Sequence, residues 1–439
     1  MDQKHSLMIL NPGHFHAALT LRERHPLIDD DVHVFAEDGP DVDQFVHLVH
    51  AFNNRPVDPT RWTLYVYRGA DFLEKMLSRR PGEMVVVAGR NNKKLECIHL
   101  LHGQGLHVLG DKPWLIDSAQ LELLKGVTAT APLAMDIMTE RHELTNRLQK
   151  AFASQPSVFG DFRIERDKPA IAIRSVHHLH KTVNRQPLRR PAWYFDTEQQ
   201  GEGVTDVTTH LVDLAQWMTG DTVPFRFERD VKALSACQWG TAVPRELFSC
   251  ITGLDDFPAF LHDRVRNGQL QYLCNAALSY ELRGLPVEIE TLWDLDEPPG
   301  GGDLHHAILR GTRSDLIVDQ GPGTQFVPTL SIQPVERSKG YAEALGDAVD
   351  QMRNQFPGLG VEAAGTGFRV TIPPALRTTH EQHFAVVLQD FLTYIDEGRW
   401  PASLGPDLET KYSLLAQALD LCHRGAPVAP TRTSSNTQL

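Results

Sequence analysis

Two periodicities alternate along the first 130 residues. Ser6–Leu10 is a short apolar run. It is followed by a turn at Asn11-Pro12-Gly13 and a helix start over His14–Arg24. Val32–Ala36 alternates as a half-buried strand does and stops at the turn Glu37-Asp38-Gly39-Pro40. Thr63–Tyr67 reads as another strand. Met84–Ala88 is continuously apolar, the mark of a strand buried on both faces of a parallel sheet. Asn92–His102 reads as a helix closed by Gly103 and Gly105, and Leu106–Leu109 as the next strand. Strand–helix alternation of this kind predicts an α/β fold with a doubly wound parallel sheet over residues 1–130.

From 131 onward the pattern changes. Strand candidates dominate: Ala170–Val183, Phe225–Ala233, Leu270–Arg283, Val287–Leu292, Ala307–Arg310, Leu316–Val318, Phe326–Pro334 and Val370–Ile372. A helical or looped insertion covers about 244–265. Two helices follow late, at about 379–397 and 408–424. The first opens on the capping box Thr378-x-x-Glu381, and Asp407 caps the second. Residues 131–427 therefore read as a second, strand-rich α+β domain, and 428–439 as a flexible polar tail.

Composition narrows the function. The chain has 439 residues and a formal charge of -13. An acidic balance argues against nucleic acid and against an anionic membrane surface as partners. The apolar runs fall far short of the roughly 18 residues a membrane span requires, and Met1–Leu10 lacks a secretory signature. Five cysteines, odd in number and without a Cys-x-x-Cys pair, point to a reducing cytoplasm.

Ligands of a doubly wound sheet sit beyond the carboxyl ends of its strands. Asn11-Pro12-Gly13-His14-Phe15-His16 occupies the place of a G-x-G-x-x-G fingerprint, of which only Gly13 matches. Glu37-Asp38 lies about where a carboxylate would bond ribose hydroxyls and repel a 2′-phosphate, which favours NAD over NADP. Lys112-Pro113 ends a strand and points an ammonium at the crevice.

The run Val85–Trp114, VVVAGRNNKKLECIHLLHGQGLHVLGDKPW, together with Gly201–Gly220, GEGVTDVTTHLVDLAQWMTG, resembles the Gfo/Idh/MocA family of nicotinamide-dependent sugar oxidoreductases. In the first run Asp111-Lys112-Pro113 stands where that family has Glu-Lys-Pro, and Ala88-Gly89-Arg90-Asn91 where it has Thr-Pro-Asn. The second run carries Asp206 and His210 in an Asp-x-x-x-His pattern. The resemblance implies a Rossmann-type N-terminal sheet and a large open, mostly antiparallel sheet in the second domain. It also implies catalysis by Lys112, Asp206 and His210. Cofactor contacts are expected from Asn11, Gly13, His14, Phe15, Glu37, Asp38, Gly89, Asn91 and Asp111.

Residues four apart on a helix share a face, so Asp206 orients His210 or holds a substrate hydroxyl while His210 takes its proton. In Ser175–Lys181 alternate residues share a face, so His178 and His180 form one row, and Trp193 suits stacking on a sugar ring. His178, His180, Lys181 and Trp193 are the expected substrate contacts, with no residue assigned to a metal, although two strand histidines are able to chelate one. Gly300-Gly301-Gly302-Asp303-Leu304-His305-His306 reads as a flexible turn entering a strand. The leading expectation is an NAD(H)-dependent oxidoreductase acting on a sugar, glycoside or cyclitol, with NADP as the second choice, assembled as a homodimer or homotetramer. The alternatives are an enzyme that recycles bound NAD while cleaving or eliminating a glycoside, and a non-catalytic ligand-binding regulator.

Overall fold

The computed structural model describes residues 4–128, 131–183, 186–220, 223–298 and 300–425. The tail 428–439 lies outside the described residues. Six strands, β1 (His5–Leu10), β2 (Ile28–Ala36), β3 (Thr63–Arg68), β4 (Met84–Val87), β5 (His107–Asp111) and β6 (Ala134–Ile137), pair in parallel in the order β3-β2-β1-β4-β5-β6. β4 is buried at all four positions, as its unbroken apolar sequence requires. The strand order reverses between β1 and β4, which opens a crevice at their carboxyl ends. β6 carries the sheet past residue 130. Its four residues are too few to display a period.

The helix expected over His14–Arg24 is a single turn, His16–Leu19. Pro26 pushes the residue before it out of helical geometry, and the chain must re-enter the sheet at Ile28.

The second sheet has ten strands. Its path runs Val231–Pro244, Gln269–Leu282, Leu285–Asp296, Ile171–His180 (β7), Leu304–Arg310, Ser314–Gln320, Thr329–Pro334, Gly367–Thr371 and Gly360–Ala364, with Val265–Arg266 paired to Gln269–Leu282. All pairings are antiparallel except β7 with Leu285–Asp296. The strand expected from Phe225 starts at Val231, because Phe227–Asp230 forms a helical turn first. The insertion is the helix Arg245–Thr252 followed by the tighter turn Ala259–Arg264.

Both late helices bind the domains together. His380–Glu397 opens on a capping box of Thr379 and Gln382, one residue beyond the expected pair. Its apolar face, including Phe384, Leu388 and Phe391, packs with Leu7, Ile9 and Val34 of the first sheet. Leu404–Arg424 starts before Asp407, whose carboxylate accepts the Phe225 N–H at 2.9 Å instead of capping the helix.

Lys411 of that last helix is 1% exposed and places its Nζ 2.7 Å from Asp136 Oδ2, at the end of β6, and 2.7 Å from Asp213 Oδ1. Arg141 donates Nε and Nη2 to both oxygens of Asp213 at 2.6 Å. The Tyr412 hydroxyl donates to Asp136 Oδ2 at 3.2 Å and accepts the Trp114 N–H at 3.2 Å. Removing one member of a buried, fully paired set leaves an uncompensated charge. Lys411→Met is expected to destabilise the fold by about 3–5 kcal/mol. Denaturant titration measures this, and a change below about 1 kcal/mol would contradict the account.

Candidate active site

A cavity of about 510 Å³ opens between the carboxyl ends of the first sheet and one face of the second. On the side of the first sheet stand His14, Phe15, His16, Gly89, Asn91, Asp111 and Lys112. Backbones approach closely there. A Cβ on Gly89 would lie 2.5 Å from the Asn11 carbonyl oxygen, so this loop needs glycine. Asn11 holds a left-handed conformation at φ 43° and accepts the Glu37 N–H at 3.3 Å, tying the ends of β1 and β2 together. Gly13 and His14 both donate their N–H groups to Ala88 O at 3.1 Å. Those two donors stiffen the turn and are not directed at a ligand.

Glu37 and Asp38 part company. Asp38 accepts from Arg68 at 2.9 Å, whereas Glu37 stands exposed at the end of β2. Asn91 donates to Gln200 O at 2.6 Å, so it fastens the first domain to the segment leading into Asp206. The buried Lys94, which the sequence did not single out, donates to Asn91 Oδ1 at 2.5 Å and to Asp111 O at 2.9 Å. Burial lowers its pKa to about 8. The Asp111 carboxylate is buried and accepts from His14 Nδ1 and His16 Nδ1, each at 3.0 Å.

Lys112 and Asp206 meet in the cavity wall, Nζ to Oδ1 at 2.7 Å, with side chains 9% and 5% exposed. Burial would raise the Asp206 pKa, but the Lys112 ammonium beside it prevails and holds it below the usual carboxylate range. Asp206 sits in the turn before the helix Thr208–Thr219, not on it. Its Oδ1 faces Lys112 and Gln200, so it orients the lysine rather than His210, as the sequence had suggested. Asp206 Oδ2 and His210 Nδ1 are buried without a hydrogen-bond partner among the described residues. Burial, and then the Lys112 charge, push the His210 pKa well below its ordinary value, which disfavours the charged imidazolium.

The opposite wall comes from the second sheet. Ser175, His177 and Lys181 of β7 and the residue after it line the cavity. The row is therefore the other one: His178 is buried behind it, and His180 bonds Asp296 at 2.9 Å. Asp303, from the glycine-rich turn, gathers His177 Nδ1 at 3.0 Å, His178 Nδ1 at 3.3 Å and Lys181 Nζ at 2.6 Å. His177 Nε2 meets Ser175 Oγ at 2.8 Å. Arg190 lies over the rings of Tyr194 and Trp293 at 4.5 and 5.3 Å. Trp193 is outside the cavity wall; its Nε1 donates to Asp41 Oδ2 at 3.1 Å, above the Gly13 turn, with Arg90 at 5.7 Å over its ring. Asp303, Glu140 and His380 also line the site. Only the glycine run before Asp303 marked any of them in the sequence.

Several histidines in and beside this cavity are neutral because they are buried. His305 and His142 are lowered to about 4, and His383 to about 3. In the unfolded chain each takes a proton near pH 6.5. Their folded pKa values are depressed, so the stability they contribute is present above pH 6.5 and is lost as pH falls toward 4. The melting temperature is expected to fall steadily across that window, with a shallower slope in His305→Gln. Scanning calorimetry at a series of pH values checks this. A flat profile to pH 4.5 would contradict it.

Comparison with known proteins places this geometry. Residues 148–423 match the family described as "Putative oxidoreductase C terminal domain". A "putative oxidoreductase" from Parabacteroides merdae is 37% identical over 96% of this chain and 98% of its own, with a TM-score of 0.92. Two more distant structures share the fold. One is KijD10, a 3-ketoreductase from Actinomadura kijaniata in complex with NADP and TDP-benzene. It is 13% identical, covers 97% of this chain and 98% of its own, and has a TM-score of 0.59. The other is GenD2 from gentamicin A biosynthesis in complex with NAD, 13% identical over 97% and 94%, with a TM-score of 0.58. No curated protein matches the chain. The family match spans more than half of the chain, and with the Parabacteroides relative it makes this protein a member of the oxidoreductase family described as "Putative oxidoreductase C terminal domain".

Proposed function

We propose that the protein is an NAD(H)-dependent oxidoreductase of the Gfo/Idh/MocA type that moves a hydride between the nicotinamide and a secondary hydroxyl or ketone of a sugar, glycoside or cyclitol. The observation that carries this reading is the buried Lys112–Asp206 pair beside the neutral His210, in a cavity at the switch point between β1 and β4. The turn fits a dinucleotide: it follows β1 at the carboxyl edge of the sheet, and the exposed Glu37 carboxylate is available to ribose hydroxyls. KijD10 and GenD2, held with NADP and NAD, support the same cofactor class. When bound, the dinucleotide supplies the hydride acceptor or donor.

The chain's own groups handle the proton. His210 accepts it from the substrate hydroxyl, and the Lys112 ammonium stabilises negative charge growing on that oxygen. Asp206 keeps the ammonium in place. His177, Lys181 and Arg190 hold the remaining hydroxyls. Phe15 packs at the cofactor end, and His14, Asn91 and Asp111 brace the turn. A cytoplasmic location and assembly through the open face of the large sheet belong to the same proposal. Among the described residues no helix is long and apolar enough to cross a membrane.

A second reading keeps the dinucleotide bound and recycles it while a glycoside is cleaved. The His177–Asp303 pair favours it, because it places a second acid–base group across the same cavity. Net accumulation of reduced cofactor separates the two, being stoichiometric with product only in the first.

Thermal unfolding at fixed protein concentration is expected to shift up with NAD and little with NADP; saturation at 100 Kd corresponds to about 2.7 kcal/mol. Glu37→Ser is expected to narrow that preference. A shift with NADP alone, or with neither, contradicts the reading. Against a panel of sugars, glycosides and cyclitols, His210→Ala is expected to lose at least about 100-fold in turnover while its NAD-induced shift is unchanged. Full activity in that variant would remove His210 from the mechanism.

A further inference from the structure

Next to the Lys112–Asp206 pair lies a group of side chains that proton and hydride transfer do not use. His14 and His16 come from the turn after β1, and Asp111 from the last position of β5. Their donor atoms all lie within 4.8 Å of one another, and each imidazole Nδ1 is 3.0 Å from a different oxygen of the one carboxylate. Zinc binds such donors at about 2.1 Å, which puts neighbouring tetrahedral ligand atoms about 3.4 Å apart. The three donors already converge on one point, and a cation would take the place of the protons now shared between the imidazoles and the carboxylate.

We infer that His14, His16 and Asp111 form a binding site for a borderline divalent transition-metal ion of the Zn2+ class, open toward the substrate cavity. Two imidazoles and a carboxylate suit zinc, iron or cobalt rather than magnesium or calcium, which prefer all-oxygen shells. Three protein donors leave at least one position for water or a substrate oxygen, the arrangement of reactive rather than structural sites. All three side chains line the cavity, so an ion has a route in and a substrate hydroxyl or carbonyl has a route to it.

Charge around the site permits this. Lys94 and Lys112 stand close and oppose a cation. Along the cavity lining, however, carboxylates outnumber Lys and Arg side chains six to four. Glu140 is one of the excess acids, and its pKa is raised by burial and by the neighbouring Asp303 despite the pull of His177. A divalent ion would relieve that surplus. It would also polarise a substrate carbonyl from the cofactor side, opposite the His177–Asp303 pair.

The test uses the full chain stripped with a chelator, dialysed against Zn2+ or Mg2+, passed over a weak chelating resin and analysed for metal. The expected result is about one zinc per chain and no magnesium in the wild type and in the control His177→Ala. Zinc affinity should drop at least tenfold in His14→Ala and in His16→Ala. Circular dichroism and the melting temperature without added ligand, measured on the same samples, show that the variants are folded. Wild-type protein that retains no zinc overturns the inference. So does zinc held equally by His14→Ala and His16→Ala, or lost from His177→Ala. Loss of zinc binding in all samples with the NAD shift intact would sink the cation site alone, whereas an absent NAD shift with zinc retained would count against the dehydrogenase reading alone.

Discussion

The arrangement of the site depends on Lys411. One buried ammonium touches Asp136, at the carboxyl end of the first sheet, and Asp213, one turn beyond His210 on the helix Thr208–Thr219. Arg141 grips the far side of Asp213 in a two-point contact. Three buried charges, with the half-buried Arg141 beside them, are stable only while all are paired. The pairing fixes where the His210 helix stands relative to β5 and β6, and β5 delivers Lys112. The distance from His210 to Lys112 is thus set some way from the cavity, by groups no substrate reaches.

Burial does opposite things to the two kinds of polar group in the cavity. At His14, His16, His210 and His305 burial disfavours the charged imidazolium and lowers the pKa. Carboxylates survive as anions only where cations or N–H donors face them: Asp206 against Lys112, and Asp303 against His177 and Lys181. Burial raises the Glu140 pKa although His177, Lys112 and Lys181 pull it down. One cavity therefore holds paired charges beside imidazoles whose charged form burial disfavours.

Much of the first domain was legible in the sequence, because unbroken apolar strands such as Met84–Val87 occur for few reasons. That Lys112, Asp206 and His210 belong to one cavity was legible through two motifs whose order mattered more than either alone. The rest was hidden for physical reasons. Period two fixes which β7 residues share a face but not which face is the cavity, so Ser175, His177 and Lys181 line it while His178 and His180 do not. Trp193 reads as a sugar platform until the fold carries it to Asp41. Lys411, Asp136 and Asp213 lie far apart in the chain, and only the packing of the last helix brings them together.

The most direct test of the central claim is a structure of the protein crystallised with NAD. The account predicts the adenosine ribose at Glu37, the pyrophosphate over the Gly13 turn and the nicotinamide facing Lys112 and His210. A dinucleotide lying elsewhere, or a nicotinamide turned away from the Lys112–Asp206 pair, would contradict it.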